Sequence, residues 1–269
     1  MKKAAVVSLT NEYERRQHID SLFDAHNLDF SYFDAINKFQ IDDTLKKYDL
    51  TINTDRMSLG EVACYLSHYC LWQQVIEYNL PYLMVFEDDI YFSKSAKTIL
   101  NNLDWLPDSF DVIKLETMYD RVMIKADIVL QSPYKLCRMK TKHLGTAGYI
   151  ISYEGAKNMI ELVRQLGISR PVDHFIFDEF LGRNVHDVYQ LSPAICIQDK
   201  IYYSIDSKFG SVIEEDRAPQ ALVKHKLSLL QKIRREHNRL LRQLKITEHY
   251  RTLLLAAKGY RNQKIDYLA

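Results

Sequence analysis

Tyr82-Leu83-Met84-Val85-Phe86, followed at once by Glu87-Asp88-Asp89, constrains this chain more than any other stretch. Five consecutive bulky apolar residues behind Pro81 are the pattern of a strand covered on both faces, so the three carboxylates must emerge where the sheet ends. In open α/β sheets that edge is where ligands bind. Adjacent carboxylates repel and raise one another's pKa unless a cation compensates, which points to a divalent metal that also holds a phosphate. Acidic residues after a strand also serve as loop solvation or as the cap of a following helix, so the rest of the chain has to decide between these uses.

The 269 residues are 47% hydrophobic and 26% charged, enough for one sizeable α/β core or a core with a small appendage. Cys64, Cys70, Cys137 and Cys196 form no CxxC pair and no metal-finger spacing, and no secretory h-region follows Met1-Lys2-Lys3. Reduced thiols in a cytosolic protein are expected. No apolar stretch approaches the roughly 20 residues needed to span a bilayer, and neither an internal repeat nor a low-complexity segment is present.

Charge is divided unevenly. Residues 222–269 carry 12 Lys and Arg against 3 Asp and Glu, which leaves 24 against 32 for residues 1–221 out of totals of 36 and 35. Leu229, Leu230, Ile233, Leu240, Leu241, Leu244 and Leu253 to Leu255 recur between the cations at helical spacing, as in two basic amphipathic helices. A division into an α/β domain over 1–220 and a basic helical tail over 221–269 is expected. Such a tail can lie on an anionic membrane surface, pack on its own domain, or pair with a second copy in a homodimer. A nucleic-acid partner is not expected, because only Tyr250 and Tyr260 supply aromatics there and no recognised motif accompanies them.

The body alternates strands and helices. Residues 3–9 read as an apolar strand, Asn11 with Glu14 as the capping pattern of a helix carrying Ile19, Leu22 and Phe23, and residues 30–36 as the returning strand. In this β-α-β opening Ser8 and Leu9 lie in the first turn, which offers backbone donors, while Arg15 and Arg16 offer charge to a phosphate or are ordinary surface cations. Ser58-Leu59-Gly60-Glu61 is a capping box that opens a helix through about Tyr78, with Val62, Leu66, Tyr69 and Ile76 on one face and His68 and Trp72 riding on it.

Taken in order, these landmarks resemble glycosyltransferase family 25, the bacterial lipooligosaccharide galactosyltransferases and their collagen-glycosylating relatives. The resemblance runs from Val6-Val7-Ser8-Leu9 and Glu14-Arg15-Arg16 through Phe33-Asp34-Ala35-Ile36 to Gly60-Glu61-Val62-Ala63-Cys64-Tyr65-Leu66-Ser67-His68. It continues through Val85-Phe86-Glu87-Asp88-Asp89, Ile113-Lys114-Leu115, Gly145-Thr146-Ala147-Gly148-Tyr149 and Pro171-Val172-Asp173-His174. It covers roughly residues 4–200 and leaves the basic tail outside.

The resemblance implies an α/β fold of GT-A, Rossmann-like type, a UDP-sugar donor, a lipid-linked glycan acceptor, and hexose transfer with inversion. It implies galactose as the sugar and a place at the cytoplasmic face of a bacterial inner membrane. Departure of a sugar diphosphate needs a Lewis acid on the diphosphate and a base on the acceptor hydroxyl. Glu87 and Asp89 are similar to the outer acids of an Asp-x-Asp element that holds Mn²⁺ or Mg²⁺, with Asp88 turned to the ribose or donor sugar. A third ligand is expected from His174, His186 or Gln198. Asp34 and Ala35 fall in the donor-site motif, and Gly145, Thr146 and Tyr149 suit the approach of a sugar, with hydroxyl contacts from the latter two. Asp173 either caps a helix or is the general base or an acceptor ligand, with Asp178, Glu179 and Glu116 in reserve. Two other readings stay open: a metal-dependent nucleotide or phosphoester hydrolase, which needs a second metal about 4 Å away, and a noncatalytic binding module with a basic tail.

Overall fold

The computed structural model describes residues 2–210 and 246–269. Strand β1 (Ala4–Ser8) leads into helix α1 (Tyr13–His26), which returns the chain to β2 (Ser31–Asp34), parallel to β1. Helices α2 (Ile41–Tyr48) and α3 (Leu59–Glu77) then carry it to β3 (Tyr82–Glu87), parallel to β1 on its other side. Alternate residues of β1 therefore face different layers. Ala4 and Val6 pack with Ile19 and Phe23 of α1, whereas Ala5 and Val7 pack with Val62, Leu66 and the rest of the α3 layer. The strand order reverses at β1, which opens a crevice at the carboxyl ends of β1 and β3.

Next come β4 (Ile90–Phe92), α4 (Ala96–Asn101), β5 (Val112–Lys114), β6 (Arg121–Val129), β7 (Lys135–Met139), β8 (Gly148–Ser152) and α5 (Tyr153–Leu166). After them run α6 (Val172–His174), continued by a π-helical turn (Phe175–Phe180), then β9 (Val188–Ser192), β10 (Cys196–Gln198) and α7 (Asp199–Tyr202). Helix α8 (Ile246–Ala257) and β11 (Arg261–Lys264) end the chain. The main sheet is mixed, in the order β11-β6-β7-β9-β5-β8-β3-β1-β2, and β10 pairs with β4 in a separate ribbon. This is the α/β, Rossmann-like architecture expected from the sequence.

Ser58 caps α3 as expected: its hydroxyl accepts from the Glu61 amide at 3.2 Å, and the Glu61 carboxylate accepts from the Ser58 amide at 2.8 Å. Such caps contribute about 1 kcal/mol. Helix α3 is buried nearly all round, with Tyr65, Tyr69, Trp72 and His68 inside, so it is an interior element rather than a one-sided surface helix. Asn11 does not cap α1. The turn closes one residue later, where the Glu12 amide donates to the Leu9 carbonyl at 3.2 Å and the Glu12 carbonyl accepts from Arg16 at 2.9 Å. Asp173 does not cap its helix either, because Pro171 holds that place and Asp173 sits inside the first turn.

The expected boundary at 220/221 and the first tail helix lie outside the described residues. Beyond them α8 is helical, and β11 then pairs antiparallel with β6 at the sheet edge. Ile265 is fully buried, its carbonyl accepting from Thr117 Oγ1 at 2.6 Å, so the last residues belong to the body. Among the described residues no helix is long and apolar enough to cross a membrane.

Candidate active site

A cleft of about 580 Å³ lies at the crevice between β1 and β3, lined by Ser8, Leu9, Arg15, Ala35, Glu87, Asp88, Asp89, Gln198 and Lys200 among others. The sheet explains the meeting of distant residues. β1 delivers Ser8 and Leu9, β3 delivers the acids, and the antiparallel pairing of Gln198 with Ile90 brings β10 alongside them. The Asp199 amide donates to the Asp89 carbonyl at 2.7 Å and fixes that approach.

The three acids have different partners. Asp88 is paired with Arg15 at 2.7 Å. Glu87 accepts from Thr146 Oγ1 at 2.8 Å and from Gln198 Nε2 at 2.9 Å, and the same amide stands 3.5 Å from Asp89. Burial pushes the Glu87 carboxyl up, but the neighbouring His68 imidazole, the Thr146 hydroxyl and Lys200 outweigh it and hold the group below its ordinary value. Asp89 is pushed up to about 7 by burial, by the charge on Glu87 and then by Asp88, with Arg15 and Lys200 only partly opposing. An excess of buried negative charge therefore faces the cleft, and a divalent cation fits it. Glu87 and Asp89 are the groups that could hold one; Gln198 turns its Nε2 to both, so its oxygen would ligate only after the amide rotates.

Gln198 is the sole member of the expected third-ligand set that the structure brings to the acids. His186 stacks on Phe180 at 3.6 Å and stands 3.8 Å from Asp111, at the far end of the sheet. His174 follows Asp173 on α6, outside the cleft wall, and its backbone amide donates to Asp173 Oδ1 at 2.8 Å.

Arg15 and Arg16 diverge. Arg15 lines the cleft. Arg16 is committed to Asp34 at 2.6 Å and to the carbonyls of Ser8 and Leu9 at 3.0 and 3.1 Å, so it ties the ends of β1 and β2 together rather than facing a phosphate. Asp34 is correspondingly outside the cleft wall, while Ala35 is in it. Tyr149 is fully buried, its hydroxyl 2.8 Å from His68 Nδ1 and accepting from Trp72 Nε1 at 3.1 Å, so it faces the α3 layer and not a sugar.

Asp173 is not in the cleft wall but touches the loop before β8. Its Oδ2 accepts from the Gly145 amide at 3.3 Å, and the next residue, Thr146, donates to Glu87. Cys64 lines the cleft near Glu87: burial, then the charges of Glu87 and Asp173, push its thiol well up. The reserve acids are committed to other cations, Glu116 beneath the loop before β8 and the other two on the π-helical turn. Glu116 is fully buried against Lys114 at 2.8 Å, and Glu179 and Asp178 pair with Arg170 at 3.1 and 4.0 Å.

Sequence reasoning missed Lys200 and Cys64 as cleft residues. Lys200 carries no local signal, since only the β4–β10 pairing brings it near Glu87 and Asp89. Cys64 is one turn before His68 on α3, a spacing that puts both on one helix face. Cys64, His68 and Glu87 offer ligand atoms all within 4.8 Å of one another, a grouping able to hold a metal ion.

A model of glycosyltransferase family 25, described as an LPS biosynthesis protein family, matches residues 1–176. The lacto-N-neotetraose biosynthesis glycosyltransferase LgtE of Neisseria meningitidis serogroup B is 34% identical, over 83% of this chain and 84% of its own length. LgtB, of the same name and organism, is 32% identical over 87% and 94%. The lipooligosaccharide biosynthesis protein lic2B of Haemophilus influenzae is 31% identical over 83% and 86%. Among solved structures, a glycosyltransferase involved in glycosylation of the major capsid of PBCV-1 aligns with a TM-score of 0.40 at 10% identity, over 72% of this chain and 91% of that one.

Proposed function

Because this chain belongs to glycosyltransferase family 25, we propose that its cleft binds a UDP-hexose with Mn²⁺ or Mg²⁺ and that the enzyme transfers the hexose, with inversion, to a lipooligosaccharide or lipopolysaccharide acceptor. Galactose is the sugar the family resemblance favours. One observation carries the proposal: Glu87, Asp89 and Gln198 converge at the reversal of strand order, with Arg15 and Lys200 in the same cleft.

Bound at Glu87 and Asp89, the cation would act as a Lewis acid on the departing diphosphate. Lys200 and Arg15 add positive charge on the same side, Arg15 while holding Asp88 in place. Ser8 and Leu9 line the cleft wall at the end of β1, where the turn's backbone meets the nucleotide. Asp173 takes the proton of the acceptor hydroxyl as that oxygen bonds to the anomeric carbon and the bond from that carbon to the diphosphate oxygen breaks. Its hold on the Gly145 amide places it across the same loop that orients Glu87.

Helix α8 supports a lipid-linked acceptor. Tyr250, Leu253 and Leu254 are exposed on it, beside Arg251, an arrangement suited to an anionic bilayer surface. The enzyme would then sit peripherally on the cytoplasmic face of the inner membrane. Transfer is tested by incubating the protein with UDP-galactose, Mn²⁺ and lipooligosaccharide lacking its terminal hexose. Acceptor-dependent release of UDP with a hexose added to the glycan is expected. Release of equal rate without acceptor would support the hydrolase reading instead.

A further inference from the structure

A second cation position is built into the floor of the same cleft. His68 is fully buried on α3 and its ring is oriented from behind: Nδ1 lies 2.8 Å from the Tyr149 hydroxyl, which is itself held by Trp72 Nε1 donating to it at 3.1 Å. Its other nitrogen, Nε2, has no hydrogen-bond partner and points at Glu87 Oε1 across 3.8 Å. That gap is too long for a hydrogen bond. It is close to the separation of two ligands on one tetrahedral zinc, about 3.4 Å for bonds of about 2.1 Å. Cys64 completes the set from the preceding turn of α3, all three ligand atoms lying within 4.8 Å, and both Cys64 and Glu87 open onto the cleft, which supplies an entry path and a fourth position.

We propose that Cys64 Sγ, His68 Nε2 and Glu87 form a site for a thiophilic divalent cation of the Zn²⁺ class, distinct from the harder cation proposed at Glu87 and Asp89. Thiolate and imidazole select zinc-like ions over Mg²⁺ and Mn²⁺. On binding, the Cys64 thiol releases its proton to solvent as the metal–sulfur bond forms. To ligate, His68 must present the Nε2 lone pair, so its ring proton sits on Nδ1, 2.8 Å from the Tyr149 oxygen, in the metal-bound form; a hydrogen-bonded second nitrogen is the usual support of a ligating histidine. Glu87 belongs to both sets, so Zn²⁺ and the donor's cation exclude one another there. That consequence rests on the proposed donor site; the zinc site itself does not.

Co²⁺ reports on the site directly, because a thiolate ligand gives an intense charge-transfer absorption in the near ultraviolet. The full-length protein, without nucleotide, should develop this band on titration with Co²⁺ and lose it when one equivalent of Zn²⁺ is added. Cys64→Ser should abolish the band, and His68→Gln should weaken Co²⁺ binding at least tenfold, with the far-ultraviolet circular dichroism of both unchanged. No band in the wild type, or a band that survives Cys64→Ser and so comes from another cysteine, would overturn the site. If His68→Gln fails to fold, loss of Zn²⁺-induced thermal stabilisation in Cys64→Ser, against its retention in the wild type, decides the same question. Mn²⁺-dependent UDP binding by Cys64→Ser tests the donor site separately.

Discussion

At the residue scale, the acids at the end of β3 show opposite behaviour within three positions. Asp88 is satisfied by Arg15, Glu87 by Thr146 and Gln198, and Asp89 is left with the excess charge, its carboxyl at about 7. The folded protein holds a proton there that the unfolded chain, with an ordinary value of about 3.9, has released. Stability from this group is therefore greatest at low pH and declines as pH rises through the interval from about 4 to 7. Asp89→Asn removes the decline. The metal-free variant should melt above wild type at pH 8, and the difference should shrink as pH is lowered; parallel melting curves at all pH values would contradict the assignment. Asp173→Asn should lower turnover with saturating substrates by about 10²–10⁴-fold while leaving UDP binding intact; turnover within threefold of wild type would remove Asp173 as the base. The acids could be read from the sequence because a buried strand has to end in solvent or in a site. The division of labour between Arg15 and Arg16 could not, since adjacent helix positions point about 100° apart and nothing local says which direction is the cleft.

At the scale of elements, the loop before β8 transmits order from the core to the site. Lys114 and Glu116 form a fully buried pair, and Glu116 Oε1 also accepts from the Ala147 amide at 2.8 Å. Gly145 has a φ of +95°, and a Cβ there would stand 2.8 Å from Glu116 Oε1. Gly145→Ala should therefore cost roughly 1–3 kcal/mol and reduce turnover, because Thr146 loses its place on Glu87. Gly182→Ala, with open space around it, should leave both unchanged. Lys114→Met strands a buried carboxylate and should cost about 3–5 kcal/mol in chemical unfolding, most of it recovered in Lys114→Met/Glu116→Gln; additive losses would show that the pair is not coupled. The capping box of α3 was plain in the sequence because all its bonds are local. The cap of α1 was displaced by one residue because a backbone turn, Leu9 to Glu12, ends at Glu12 and starts the helix there.

At the scale of the whole molecule, closure comes from segments far apart in the chain. β10 reaches β4 and carries Gln198 and Lys200 to the acids, and β11 extends the sheet from its far edge. Neither was readable beforehand: β10 is three residues long, and Arg261–Lys264 is polar and exposed throughout, with no alternation to mark a strand. Ile265 is the apolar anchor behind β11, so Ile265→Ala should lower stability by about 2–5 kcal/mol in denaturant unfolding. If the tail docks on lipid, Leu253→Asp with Leu254→Asp should reduce co-sedimentation with anionic vesicles several-fold without changing UDP binding. The most direct test of a metal-dependent donor site is calorimetric titration of UDP into wild type and Asp89→Asn, with and without Mn²⁺. Binding that requires Mn²⁺ and is lost in the variant is the predicted result; equal UDP binding with and without Mn²⁺, or no binding under any condition, would contradict it.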